Sequence, residues 1–198
     1  MPPMRRTFRR PLGERRYRKL FVIAAEGEKT EPRYFAVFNG QRSVIQVKCL
    51  KSRHESSPRH VLKRMEEYLR QEGLRASDEA WLVVDKDHWT DEQLTLLHAW
   101  AQKCDNYGLA LSNPKFEYWL LLHFEDGTGI QSIQNCIDRL KRHLPDYNKD
   151  FDARKITRQG VDDAIWRARQ RDNPPCADWP RAIGGTTVYR LVENILRV

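Results

Sequence analysis

The sequence predicts an α/β fold, a mostly parallel sheet of about four strands with helices on both faces and a helical C-terminal extension. Three observations lead there. Short apolar runs of strand length alternate with amphipathic stretches of helix length up to about residue 124. Strands that alternate with helices pair in parallel through right-handed crossovers. From Ile130 onward only helical patterns recur, so the sheet ends there and helices follow. A composition of 40% hydrophobic residues, with six tryptophans and only ten glycines, supplies the core such a fold needs.

In order, Leu20 to Ala25 is a strand, broken by Glu26-Gly27-Glu28. Thr30 is placed to cap a helix through about Phe38, with Glu31 and Pro32 in its first turn. Ser43 to Leu50 alternates apolar and polar residues and makes a second strand. Pro58 opens a helix that carries Val61, Leu62, Met65 and Leu69 on one face and stops before Gly73. Ala80 to Val84 is the third strand, Asp91 to Cys104 a helix, and "GLALS" the fourth strand. In "NPKFEYWLLLHF", Asn113 is expected as helix cap and Pro114 as the first helical residue. Helices then follow over about Ile130 to His143, Thr157 to Gln170 and Thr186 to Leu196. Trp81, Trp100, Trp119 and Trp166 are assigned to the core.

The organisation expected is a basic arm, residues 1–19, and a single domain over 20–198, its core 20–124 and its helical part 125–198. The arm holds eight Arg or Lys against one Glu, giving +7 of the net +8. The rest of the chain is therefore nearly neutral, and the arm is suited to a phosphate backbone or to solubility alone. Four scattered cysteines form no CxxC pair and no Cys–His cluster, which excludes zinc-ribbon and disulfide-framework classes. No apolar run reaches the roughly 18 residues of a bilayer span, so a cytoplasmic protein without membrane association is expected.

The chemistry centres on "LVVDKDHWT", where Asp85 and Asp87 stand as a strand runs into a loop. Two carboxylates that close repel, and a solvated turn needs only one of them. In an open parallel sheet, ligands bind beyond the carboxyl ends of the strands. Glu26 after the first strand, Asp85 and Asp87 after the third and Asn113 after the fourth should therefore meet on one rim. Oxygen-only ligands suit Mg²⁺ or Mn²⁺. Glu26 is placed for acid–base work on an attacking or departing hydroxyl. A DxD after a strand also serves as a helix cap or Asx-turn, and it is Glu26-Gly27 at a second strand end that favours a metal. Lys29 and Lys86 flank the proposed ligands and suit substrate phosphate. Glu117, a turn beyond Asn113, suits the metal, a basic group or a structural hydrogen bond. Trp89 is a loop aromatic able to stack on a base, His88 neighbours the DxD, and His123 fits the core. Haloacid-dehalogenase-type phosphatases and nucleotide-sugar transferases also use DxD. The first want Thr or Val where Trp89 stands, and the second leave Glu26 unexplained.

Glu-Gly at a first strand end followed by Asp-x-Asp at a later one resembles the Toprim domain of topoisomerases, primases and several nucleases. More narrowly, "EGEKTEPRYF", "VVDKDHW" and "LSNPKFEYWLLLHF", in that order, resemble the RloB family over roughly Leu20 to Phe124. The resemblance implies a Toprim-like, Rossmann-like fold and metal-dependent phosphodiester chemistry in phage defence. Glu26 would be the general acid/base, Asp85 and Asp87 would hold Mg²⁺, and Glu31 would be a further acidic ligand. It also implies DNA or RNA as substrate, tRNA included, an SMC-like ATPase partner, and room for self-association. A non-catalytic subunit that binds nucleic acid, a nucleotide signal or the ATPase is the alternative; primase-like or topoisomerase-like strand transfer ranks below both.

Overall fold

The computed structural model describes residues 19–40, 44–51, 57–87 and 89–198. Three central strands are buried on both faces, which is why their sequences read as nearly continuous apolar runs. These are β1 (Lys19–Ala25), β3 (Glu79–Asp85) and β4 (Tyr107–Asn113); β2 (Ile45–Cys49) lies at one edge and is half exposed. The sheet order is β2-β1-β3-β4-β5, with the first four strands parallel. It is a mixed α/β, Rossmann-like architecture.

Alternation along each strand sorts side chains between two layers. Leu20, Val22 and Ala24 of β1 pack with Leu82 and Val84 against α2 (Pro58–Glu72) and α3 (Asp91–Ala101). Phe21, Ile23 and Ala25 face the other way, toward α1 (Thr30–Ala36) and α4 (Phe116–Leu121). The same layer takes in α5 (Ile133–His143), α6 (Arg158–Arg171) and α7 (Val188–Leu196). Hydrogen bonds continue past the strand ends. Glu26 N–H donates to Val83 O at 2.9 Å and Lys86 N–H to Ser112 O at 2.8 Å, so both acidic segments leave the sheet at one rim.

Several sequence expectations need correction. A fifth strand, β5 (Gly185–Thr186), pairs antiparallel to β4, Thr186 opposite Ser112. Two residues are too few to leave a period-2 pattern, and α7 accordingly starts at Val188 rather than Thr186. Asn113 is not a helix cap. It closes β4 opposite Gly185, a cis bond leads to Pro114, and α4 begins at Phe116 behind Lys115. Thr30 is the first residue of α1 and caps nothing; Lys29 holds the cap position without a side-chain bond. Trp166 is 62% exposed, because α6 turns Val161, Ala164 and Ala168 inward and Trp166 lies between their positions on the opposite side. Trp81, Trp100 and Trp119 are in the core as expected. His123 is buried too, between the Tyr34 hydroxyl at 3.2 Å and the Trp119 carbonyl at 3.0 Å. Among the described residues no helix is long and apolar enough to cross a membrane. The basic arm except Lys19, together with Ser43 and His88, lies outside the described residues.

Candidate functional site

Strand order reverses at β1, with β2 on one side and β3 on the other. Such a switch point leaves a crevice beyond the carboxyl ends of the strands. A cavity of about 290 Å³ opens there, lined by Glu26, Gly27, Thr30, Glu31, Asp85, Asp87, Trp89, Lys115, Phe116, Glu117 and Lys149. Five carboxylates from three parts of the chain thus share a lining with two lysines. A larger hollow of about 410 Å³ lies between α6 and α7, but its Asp172 and Glu193 are ion-paired with Arg190 and Arg169. The smaller cavity is therefore the electrostatically unbalanced one.

Each acid is fixed by the backbone around it. Glu26 Oε2 accepts from Asp85 N–H at 3.2 Å, and its two oxygens accept from the Trp89 indole at 3.2 and 3.3 Å. Glu31, 4% exposed, folds back from the first turn of α1 so that Oε1 accepts from Gly27 N–H at 2.9 Å. A Cβ at Gly27 would lie 2.0 Å from Glu31 Oε2, so only glycine admits the carboxylate there. Asp85 Oδ1 accepts from Phe116 N–H at 2.8 Å, joining the end of β3 to the start of α4. Asp87 pairs with Lys115 at 3.0 Å and has φ +30, a left-handed conformation that Asp tolerates better than most residues. Glu117 Oε1 accepts from the Tyr147 hydroxyl at 2.8 Å.

Burial and mutual repulsion push Glu31, Asp85 and Glu26 toward their neutral forms. Burial raises Glu31 from 4.5 to about 7, the N–H of Gly27 opposing and the charges of Glu117 and Glu26 adding to it. Asp85 is held well above its ordinary value by burial, then by Glu31, Glu26 and Glu117, with Lys115 opposing. Glu26 is raised by burial and by Asp87, against the bonds from Asp85 and Trp89. Burial works against the Lys115 charge, but Asp87 outweighs it and the ammonium is held above its usual range.

The donor set fits Mg²⁺ or Mn²⁺ in kind, being oxygen throughout. A carboxylate has about four lone-pair sites, and the bonds above use only part of them. Among the described residues, however, no three His, Cys, Asp or Glu side chains stand closely enough to hold an ion as they are. The acids line one cavity but would have to draw together around a cation.

Glu26, Glu31, Asp85, Asp87 and Glu117 are thus brought to one site. Asn113, Lys29 and Lys86 do not line it. The Asn113 amide donates to Pro180 O and Arg181 O, at 3.2 and 2.9 Å. Lys86 bonds to Trp89 O at 2.6 Å and Asp91 at 3.0 Å; Lys29 is exposed. Trp89 turns its N–H to Glu26, which sequence reasoning did not foresee. Lys115 was also missed, although it sits inside the "NPKFE" stretch that supplied Asn113 and Glu117. Tyr147 and Lys149 left no signal, lying in a loop remote from any strand end.

Residues 21–195 match the family model described as RloB-like protein. No curated protein and no solved structure matches the chain.

Proposed function

Because the chain belongs to the RloB-like family, we propose that it is a Mg²⁺- or Mn²⁺-dependent nuclease effector of a bacterial anti-phage defence system. It cuts phosphodiester bonds in DNA or RNA, tRNA included, under the control of an SMC-like ATPase partner. One observation supports this above the others: five carboxylates share the cavity at the sheet's switch point, and among the described residues two lysines, Lys115 and Lys149, line it with them, while Arg64 also acts on Glu26 and Glu31. A fold that needed only hydrogen-bond acceptors there would be served equally by amides.

Asp85 and Asp87 would hold the ion, with Glu26 and Glu31 as further acidic ligands and Glu117 on the same lining. A divalent ion held there would supply polarisation of a phosphoryl oxygen and a lowered pKa for a water. Glu26, oriented by the Trp89 indole and Asp85 N–H, exchanges a proton with the attacking or departing oxygen. Its raised pKa brings that exchange closer to neutral pH. Lys115 holds Asp87 and offsets part of the negative charge that a phosphate must approach.

Purified protein incubated with labelled DNA and total tRNA, in Mg²⁺, Mn²⁺ or EDTA, tests the reading. Cutting that requires the metal is expected, with Asp85→Ala slowing it by roughly 10² to 10³ while circular dichroism stays unchanged. The alternative non-catalytic subunit draws support from the backbone-bonded state of the acids. It prevails if nucleic acid is bound but never cut with any metal, the ATPase included.

A further inference from the structure

The chain between α5 and the short helical turn at Ala153–Lys155 brings Lys149 to the lining of the carboxylate cavity and is tied down there. Thr30 Oγ1 donates to Lys149 O at 2.8 Å and stands 3.3 Å from the Tyr147 hydroxyl. Arg33 Nε donates to Phe151 O at 3.3 Å and faces Asp150 at 3.6 Å. Tyr147, 5% exposed, donates its hydroxyl to Glu117 on the cavity wall. Between these ties Lys149 takes φ +61. A long unbranched residue in the left-handed region carries strain that the surrounding bonds must hold.

The ties place Lys149 on the cavity lining while leaving it exposed. The other lining lysine, Lys115, is already paired with Asp87 at 3.0 Å. A phosphodiester approaching five carboxylates meets repulsion that a single divalent ion does not fully cancel. A cation at the solvent side of the cavity relieves it.

We propose that Lys149 is the residue that grips the nucleic-acid backbone, contacting a phosphate at the mouth of the cavity. The inference rests on the nuclease reading and gives the helical C-terminal part a direct share in the substrate site.

The test uses the full chain in an Asp85→Ala background, so that probes are bound without being cut. Fluorescein-labelled DNA and RNA duplexes are titrated by anisotropy over a salt series. Lys149→Gln is expected to flatten the dependence of log K on log salt by about 0.9 for DNA, one phosphate contact, while Lys149→Arg keeps it. In the otherwise native chain, Lys149→Gln should raise KM about tenfold, the scale of one charge-assisted hydrogen bond, with little change in kcat. Mn²⁺ affinity and melting temperature should not move. A salt slope and KM identical to the parent's, in a parent that cuts, overturn the role of Lys149 and leave the nuclease reading standing. A parent that neither binds nor cuts nucleic acid overturns both.

Discussion

Replacing Glu31 by Gln should stabilise the protein at alkaline pH, and the size of the effect follows from its surroundings. Glu31 is 4% exposed, and its carboxyl is raised from 4.5 to about 7. Below 4.5 the folded and unfolded chains both carry the proton, and burial of the acid has no electrostatic penalty. Between 4.5 and about 7 the unfolded chain releases the proton while the folded one keeps it, so stability falls as pH rises. Above about 7 the full difference applies, on the order of 3 kcal/mol at 1.36 kcal/mol per pKa unit. That is a large part of the roughly 5–15 kcal/mol typical of a domain. Gln has a similar shape, and its carbonyl still accepts from Gly27 N–H. Urea unfolding in EDTA, followed by tryptophan fluorescence at about pH 5 and about pH 8, measures both proteins. The variant should gain about 2–3 kcal/mol on the parent between the two conditions. Buried His123, pushed down to about 4 by its burial, erodes stability as pH falls below 6.5. It does so in both proteins and cancels in the comparison. Parallel pH profiles for parent and Glu31→Gln would refute the reasoning.

Gly27→Ala should expel the Glu31 carboxylate, since the new Cβ would stand 2.0 Å from Oε2; much of the Mn²⁺ affinity should be lost, read by Mn²⁺ electron paramagnetic resonance. Tyr147→Phe removes the donor to Glu117 and should lower stability by about 1 kcal/mol, measured by urea unfolding. Gly108→Ala pushes a Cβ to 2.5 Å from the Trp81 ring, far from the acids. It should destabilise by about 1–3 kcal/mol and leave Mn²⁺ affinity unchanged in the same titration.

The parallel sheet was legible because its central strands are buried on both faces and so appear as unbroken apolar runs, KLFVIAA and EAWLVVD among them. The acids were legible for a related reason. A polar residue directly after such a run must lie on the rim, and the rim at a switch point is a crevice. What escaped depends on contacts made at long range. The two-residue β5 exists because Asn113 and Ser112 find partners more than 70 residues later. The same pairing takes Asn113 out of the helix that its sequence context suggested. Lys149 reaches the cavity through Thr30, 119 residues away, and no local period records that bond. Lys29 and Lys86 illustrate the reverse error: adjacency to a site residue along the chain does not carry a side chain into the site. Lys86 instead follows the turn to Trp89 and Asp91.

The energetics of the cavity tie its stability to its chemistry. Amides at Glu31 or Glu117 would satisfy the Gly27 N–H and Tyr147 hydroxyl donors as well as carboxylates do, and without the repulsion that raises Asp85 and Glu31 together. The carboxylates therefore weaken the metal-free fold at neutral and alkaline pH. Binding of a cation returns stability as RT ln(1 + [L]/Kd), about 2.7 kcal/mol at a hundred times Kd. That matches the roughly 3 kcal/mol that ionised Glu31 costs the fold. The acid that resists ionisation in the unloaded cavity is thus the one whose ionisation a divalent ion would reward. On this argument Mn²⁺ should raise the stability of the parent at about pH 8 by more than it raises that of Glu31→Gln. Equal increments in the two proteins would mean that Glu31 and the ion do not meet.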